Sequence, residues 1–199
     1  MAKTVRKRIR RSPEAARRLF LEHAESVLVK EGLSGVQMRA VARLAGVTDA
    51  AIAHHFKNRE GLIIALMEHV VVRVRNAVSS IVQTWSNQAS EIWPLVEELD
   101  RLYSQGFAEL AQASSRSGWR DQGSPILKPV VDALMKRNEN PSTTKQTIQR
   151  VLASLHLDLA LSPLYGAAFR RSVGLKSNLD RVEHLKWWAN SLEQLLKAP

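Results

Sequence analysis

Two short stretches with a helical apolar period, about 38–45 and about 48–55, lie on either side of a single glycine, Gly46. In the first, Met38, Val41, Ala42 and Ala45 recur at three-and-four spacing and therefore share one face. The second opens on Thr48-Asp49, where the hydroxyl can cap the first turn and the carboxylate complements the positive helix end. Helix, glycine turn, short helix is the helix-turn-helix pattern. Gly46 supplies the conformational freedom that so tight a reversal needs, and Val47 and Ile52 are the apolar pair that buries the contact between the two helices.

The segments on either side also read as helix. Ser12-Pro13-Glu14 is a helix start, with a cap candidate, proline at the first helical position and an acid in the first turn. Ala16, Leu19, Phe20, Ala24, Val27 and Leu28 continue the period to Gly32, which predicts a first helix over about 13–31. After Asn58, a capping residue, the stripe Leu62, Ile63, Leu66, Met67, Val70, Val74, Val78 and Ile81 predicts a long helix to about Trp85. Further helices are expected over about 90–113, 124–138, 142–162, 164–173 and 178–197, with breaks at 114–123, 138–141, Pro163 and 174–178. No stretch alternates with period two and no repeat is present, so the expected fold is all-α with about nine helices. The expected organisation is a basic arm over 1–11, a helix-turn-helix domain over 12–58 with its motif at about 36–55, and a larger helical domain over 59–199.

Charge favours a polyanionic partner and places it near the N-terminus. The chain carries a net +10, of which +7 falls in residues 1–60. Six of those cations, Lys3, Arg6, Lys7, Arg8, Arg10 and Arg11, stand in the first eleven residues without an acid between them, a run read as a disordered arm along a phosphate backbone. Cysteine is absent, which excludes thiolate metal sites, disulfides and a thiol nucleophile. No run approaches the ~18 consecutive apolar residues of a membrane helix, and no signal-like h-region follows the basic start, so a cytoplasmic protein with no membrane partner is expected.

In a helix-turn-helix, Thr48, Asp49, Ala50 and Ala51 sit at the end of the helix offered to the major groove, where side chains reach base edges. Arg39, at the start of the preceding helix, can grip guanine or phosphate in a bidentate way, and Lys57 and Arg59 fit phosphate clamps. The stretch from Val36 to Val70 resembles the DNA-binding signature of the tetracycline-repressor (TetR) family. Matching elements are Met38-Arg39, Val41-Ala42, Ala45-Gly46-Val47-Thr48, His54-His55-Phe56-Lys57 and Asn58-Arg59-Glu60 with Leu62; Ala24, Leu28 and Gly32 match in the first helix. The resemblance covers about a quarter of the chain and departs from the family at Ala53, where tyrosine is usual, and at Asp49 and Ala50, where a basic residue and glycine are frequent. The run from Asp49 to Ala53 is accordingly poor in donors, which shifts the expected DNA contacts toward Arg39, His54, Lys57, Arg59 and the basic arm.

The resemblance implies a homodimeric transcriptional regulator that binds double-stranded operator DNA and responds to a small-molecule effector, most simply a repressor released by it. It also implies an effector cavity in the C-terminal helices, for which Tyr103, Phe107 and Trp119 are the lining candidates, and a four-helix dimer interface from the last two helices. There the stripes Leu152, Leu155, Leu159 and Leu185, Trp188, Leu192, Leu195, Leu196 are the expected contact faces. His54 and His55 are adjacent and so point to different faces, which argues against metal ligation; His156, Asp158, Glu183 and His184 read as ordinary helix residues. No metal or cofactor is expected. An enzyme is disfavoured, since P-loop, GxGxxG, GxSxG and HExxH motifs are all missing. The competing reading is a non-sequence-specific nucleic-acid binder that works through the basic arm alone.

Overall fold

The computed structural model describes residues 12–88, 91–176 and 181–197; the basic segment 1–11 lies outside them. Among the described residues there are nine helices and no strand: α1 (Pro13–Gly35), α2 (Met38–Ala45), α3 (Asp49–Phe56), α4 (Arg59–Asn87), α5 (Trp93–Tyr103), α6 (Phe107–Arg116), α7 (Lys128–Arg137), α8 (Lys145–Ser172) and α9 (Arg181–Leu196). They form two compact units, one ending at Leu66 and the other beginning at Met67.

In the first unit, the Ser12 side chain caps α1 by accepting from the Ala15 amide, and Phe20, Leu21, Ala24, Val27 and Leu28 bury one face of the helix. Gly32, at φ 70°, interrupts the helical backbone before the last turn of α1. α2 packs on α1, and α3 on α2. Val41, Ala42, Ile52 and Phe56 are the buried contributions of the two short helices.

The second unit is built around α8. α5 packs on both α8 and α9, while α6 and α7 lie on α8. The core face of α4 here is Val70, Val74, Val78, Val82 and Trp85, and that of α8 is Ile148, Leu152, Leu155 and Leu159. Polar contacts fix α9 at both ends. The Arg181 guanidinium donates to Asp100 on α5 and to Asp158 and Ser162 on α8, at 2.6–3.1 Å, and His184 stands 3.2 Å from the same Asp158. At the other end, the carbonyl of Leu196 accepts from the amides of Glu139 and Asn140, so the α7–α8 connection closes the C-terminus of α9.

Two expectations fail for opposite reasons. The helix expected over about 90–113 is two helices, α5 and α6, because Gly106 takes φ 81° and reverses the chain although the apolar period runs on through it. The break expected at Pro163 does not occur, and α8 continues to Ser172. Proline removes one backbone donor and strains the preceding turn, but Arg181 holds that turn from outside through Asp158 and Ser162. α8 is also the one described helix long and apolar enough, by length and composition, to cross a membrane.

Arg181→Ala is expected to lower the stability of the second unit by about 2 kcal/mol, since Asp100 loses its ionic partner and the turn before Pro163 its brace. The side chain is partly solvated, which keeps the loss below that of a fully buried pair. Urea unfolding measures it, and Arg181→Lys should recover only a minor part because one ammonium cannot span both carboxylates.

Candidate functional site

Gly46 closes α2 in the left-handed conformation, with its own amide on Arg43 O and the Val47 amide on Ala42 O, the paired bonds of a glycine helix stop. The chain reverses there and α3 starts at once, its first turn capped by Thr48 Oγ1 accepting from the Ala51 amide at 3.3 Å. Ile52 and Phe56 anchor the inner side of α3. Asp49, Ala50 and His54 are exposed, Ala51 and Ala53 half-buried, and Arg39 on α2 is exposed. His55 is turned inward, edge-on to Phe20 at 5.3 Å, and burial together with His54 and Arg17 lowers its pKa from the ordinary value. The two adjacent histidines thus differ in exposure, His54 toward solvent and His55 in the α1 contact, with their rings edge-on to each other at 5.4 Å.

The exit from α3 is strained. Lys57 has φ 66° and ψ −62°, and the Asn58 amide bonds back to Phe56 O at 2.8 Å, which makes Lys57 the centre of a three-residue turn of positive φ. Asn58 Oδ1 then accepts from the Gly61 amide at 2.8 Å to cap α4. A Cβ on Gly61 would overlap the carbonyl oxygen of Phe56, so only glycine lets α4 begin this close to the end of α3. Sequence reading missed Gly61; its signal was a glycine in the first turn of a long helix, where it costs helix stability unless something approaches closely.

The structure separates two cations that the sequence placed together. Lys57 is exposed. Arg59 is half-buried, and its guanidinium donates from Nε to Val36 O at 2.9 Å and from a terminal nitrogen to Leu33 O at 3.0 Å. Expected at a phosphate, Arg59 instead ties the α1–α2 corner to the start of α4 through two carbonyls at the C-terminal end of α1.

In the second unit, Tyr103 and Phe107 meet edge-on at 5.1 Å, and Tyr103 is buried. Burial raises the Tyr103 pKa, so its hydroxyl keeps its proton and donates to His156 Nε2 at 2.8 Å; burial also lowers the pKa of His156, which suits a neutral acceptor ring. His156 in turn lines a cavity of about 350 Å³ whose walls include Ile126, Leu127, Val131, Gln149 and Leu152. Trp119 does not join this group; it is half-buried after α6, with its amide on Ser114 O. Of the stripes expected at a dimer interface, Leu152, Leu155, Leu159, Leu185, Leu192 and Leu196 are buried within the chain, while Trp188 and Leu195 are half-buried. The exposed apolar side chains of α8 and α9 lie on other faces, with Leu157, Tyr165, Phe169, Val173 and Leu175 around a groove of about 430 Å³ and Trp187 close by in sequence.

Comparison with known proteins gives a consistent result. Residues 14–66 match the family model described as bacterial regulatory proteins, tetR family. The HTH-type transcriptional regulator BetI of Burkholderia thailandensis is 27% identical across 66% of this chain and 86% of its own length. The HTH-type transcriptional regulatory protein RaaS of Mycobacterium tuberculosis is 36% identical, but over only 39% of this chain and 40% of its own length. Two solved structures share the fold: a candidate TetR-family transcriptional regulator from Mesorhizobium loti, TM-score 0.55 at 15% identity, covering 94% of this chain and 98% of that one, and a Rhodococcus protein of unknown function, TM-score 0.56 at 21% identity, covering 96% and 99%.

The different placements of Lys57 and Arg59 give distinguishable outcomes. Lys57→Gly removes a cation while fitting the positive φ, so melting temperature should not fall, yet the slope of log affinity for duplex DNA against log salt should drop by about one. Arg59→Lys should leave that slope unchanged and lower the stability of the first unit by about 2 kcal/mol, because the fork to two carbonyls is lost.

Proposed function

The chain belongs to the tetR family of bacterial regulatory proteins, and from that premise we propose that it is a homodimeric repressor in the bacterial cytoplasm, released from its operator by a small molecule. As a member of this family it is a DNA-binding transcriptional regulator. The carrying observation is the exposed face of α3, held by the Gly46 reversal on one side and the Lys57 turn on the other. Residues 12–58 bind DNA, with Arg39, Thr48, Asp49, Ala50, His54 and Lys57 at the duplex, Ala51 in the first turn of α3 and Arg59 positioning them. The basic segment 1–11 adds counterion release along the backbone. Residues 59–199 hold the effector and the partner copy.

The exposed apolar face of α8 supports the dimer. Leu157 and Phe169 are 62% and 70% exposed, and a helix-turn-helix protein gains affinity and half-site symmetry by pairing. A second copy would cover that face, which also accounts for a helix apolar enough to resemble a membrane span. The effector enters the cavity beside His156, whose ring is its polar anchor and is backed by Tyr103 and Phe107; apolar walls at Ile126, Leu127, Val131 and Leu152 beside Lys128, Lys145 and Gln149 suit an amphipathic molecule. Occupancy changes the spacing of the two recognition helices away from the ~34–36 Å between successive major grooves.

Binding to an operator-bearing duplex should exceed binding to random DNA of equal length, at fixed salt, by ~10³-fold or more. Equal binding would instead favour the basic-arm reading. Phe169→Glu should yield a folded monomer by sedimentation with that preference largely lost; a persistent dimer contradicts the interface.

An effector that binds the released state more tightly must itself bind more weakly when operator is present, by the same factor, for a coupling of ~1–3 kcal/mol. Calorimetry with and without operator measures this, and identical affinities would remove the sensor from the reading.

A further inference from the structure

The regulator reading offers α3 to DNA; the make-up of its outward face restricts what it can read there. At about 100° per residue, Ala50, Ala53 and His54 fall in one sector of α3, opposite Ile52 and His55, and Asp49 stands at the edge of that sector in the first turn, on the side of Phe56 seven residues on. Their exposure agrees: Asp49, Ala50 and His54 are exposed and Ala53 half-buried, while Ile52 and Phe56 are buried. Thr48, just before them, accepts the Ala51 amide as a cap, which fixes the orientation of its hydroxyl. The sector and its edge therefore present one carboxylate, two methyl groups and one imidazole.

Guanine shows two acceptors, N7 and O6, to the major groove, and its usual partner is a bidentate Arg or Lys. Neither a carboxylate nor an alanine can satisfy that pair, and Asp49 opposite guanine would set acceptor against acceptor. The complementary groups are the 5-methyl of thymine for an alanine and the exocyclic amine of cytosine or adenine for a carboxylate. Alanine also has no length to hold the helix away from the base edges, so a methyl contact here is made at close approach. The long exposed donors nearest in sequence, Lys57 at the end of α3 and Arg43 and Arg39 on α2, all stand outside this sector, and of these Arg39 is the one in the first turn of its helix.

Resting on the regulator reading, we infer that the centre of α3 reads thymine 5-methyl groups through Ala50 and Ala53 and an exocyclic amine through Asp49, leaving guanine recognition to Arg39. Asp49 has a second effect. Its charge opposes phosphates at every site and is offset only where an amine is present, so it raises discrimination by weakening wrong complexes.

The test starts from duplexes retained by the full-length protein from a randomised library. The selected half-site is resynthesised with deoxyuridine in place of thymine, one position at a time, and affinities are compared at fixed salt. At one or two positions the missing methyl should weaken binding roughly fourfold, and about fifteenfold when both half-sites are changed. In Ala50→Gly, checked for helicity by circular dichroism, the penalty at one of those positions should vanish. Asp49→Ala, which does not depend on the glycine variant folding, should bind random duplex more tightly and lose its preference for cytosine or adenine at one position. Deoxyuridine without effect at every thymine, or a central guanine whose recognition survives Arg39→Ala, overturns the inference while leaving a sequence-specific regulator. Retention of no preferred sequence overturns the regulator reading and the inference together.

Discussion

Two carbonyl groups, those of Leu33 and Val36, are held by one guanidinium, and the geometry of the DNA-facing unit depends on that grip. α2 and α3 have eight residues each, too few to persist on local hydrogen bonds alone. Their position is set from outside. Gly32 interrupts the regular part of α1, Leu33 O at its end accepts the Val36 amide, and Arg59 from the first turn of α4 adds one donor there and another to Val36 O. The same first turn is pressed against the end of α3 through Gly61 and the Phe56 carbonyl. One turn of α4 thus fixes both the entry to α2 and the exit from α3, and the strain at Lys57 is what a joint so short requires.

Local rules were sufficient where the controlling interaction was local. The Ser12 cap, the Gly46 stop, the Thr48 cap and the Asn58 cap are each set within a few residues, and the starts of α1, α3 and α4 and the end of α2 follow from them, whereas α1 passes the expected stop at Gly32 and ends at Gly35. The rules failed where a distant group intervened. Pro163 carries a helix-breaking signal that α8 overrides with Arg181 bracing the turn before it, a partner some twenty residues on. Gly106 carries a weaker signal but breaks a continuous apolar period, because its left-handed backbone at φ 81° separates α5, which packs on both α9 and α8, from α6, which packs on α8. Periodicity likewise shows that α8 has more than one apolar face without saying which one is internal; the leucines at 152, 155 and 159 are core, and the exposed set begins at Leu157.

The same distinction holds at the site. The different exposure of His54 and His55 follows from adjacency on a helix, about 100° apart, so it was legible. The division between Lys57 and Arg59 was not, since both are cations two residues apart and only the carbonyls of another helix distinguish them. The Tyr103–His156 bond joins residues 53 apart and leaves no trace in spacing. Its chemistry is nevertheless simple once seen: a phenol that keeps its proton meets a ring that stays neutral, and burial favours both states.

A donor-poor recognition face changes what the rest of the protein must supply. Cations at Lys57 and in the basic segment give affinity for any duplex, but that attraction carries no sequence information. Methyl contacts and a single carboxylate discriminate by only ~1–3 kcal/mol per base pair, and one eight-residue helix spans few of them. A monomer with these residues would therefore be held on DNA largely without choice. In the proposed dimer, pairing through α8 and α9 would double the number of bases read with the two copies constrained to one spacing, so the discrimination energies would add. The exposed Phe169 face and the alanine-lined face of α3 are then connected requirements: the fewer polar contacts each recognition helix makes, the more its selectivity depends on a second copy held at fixed distance.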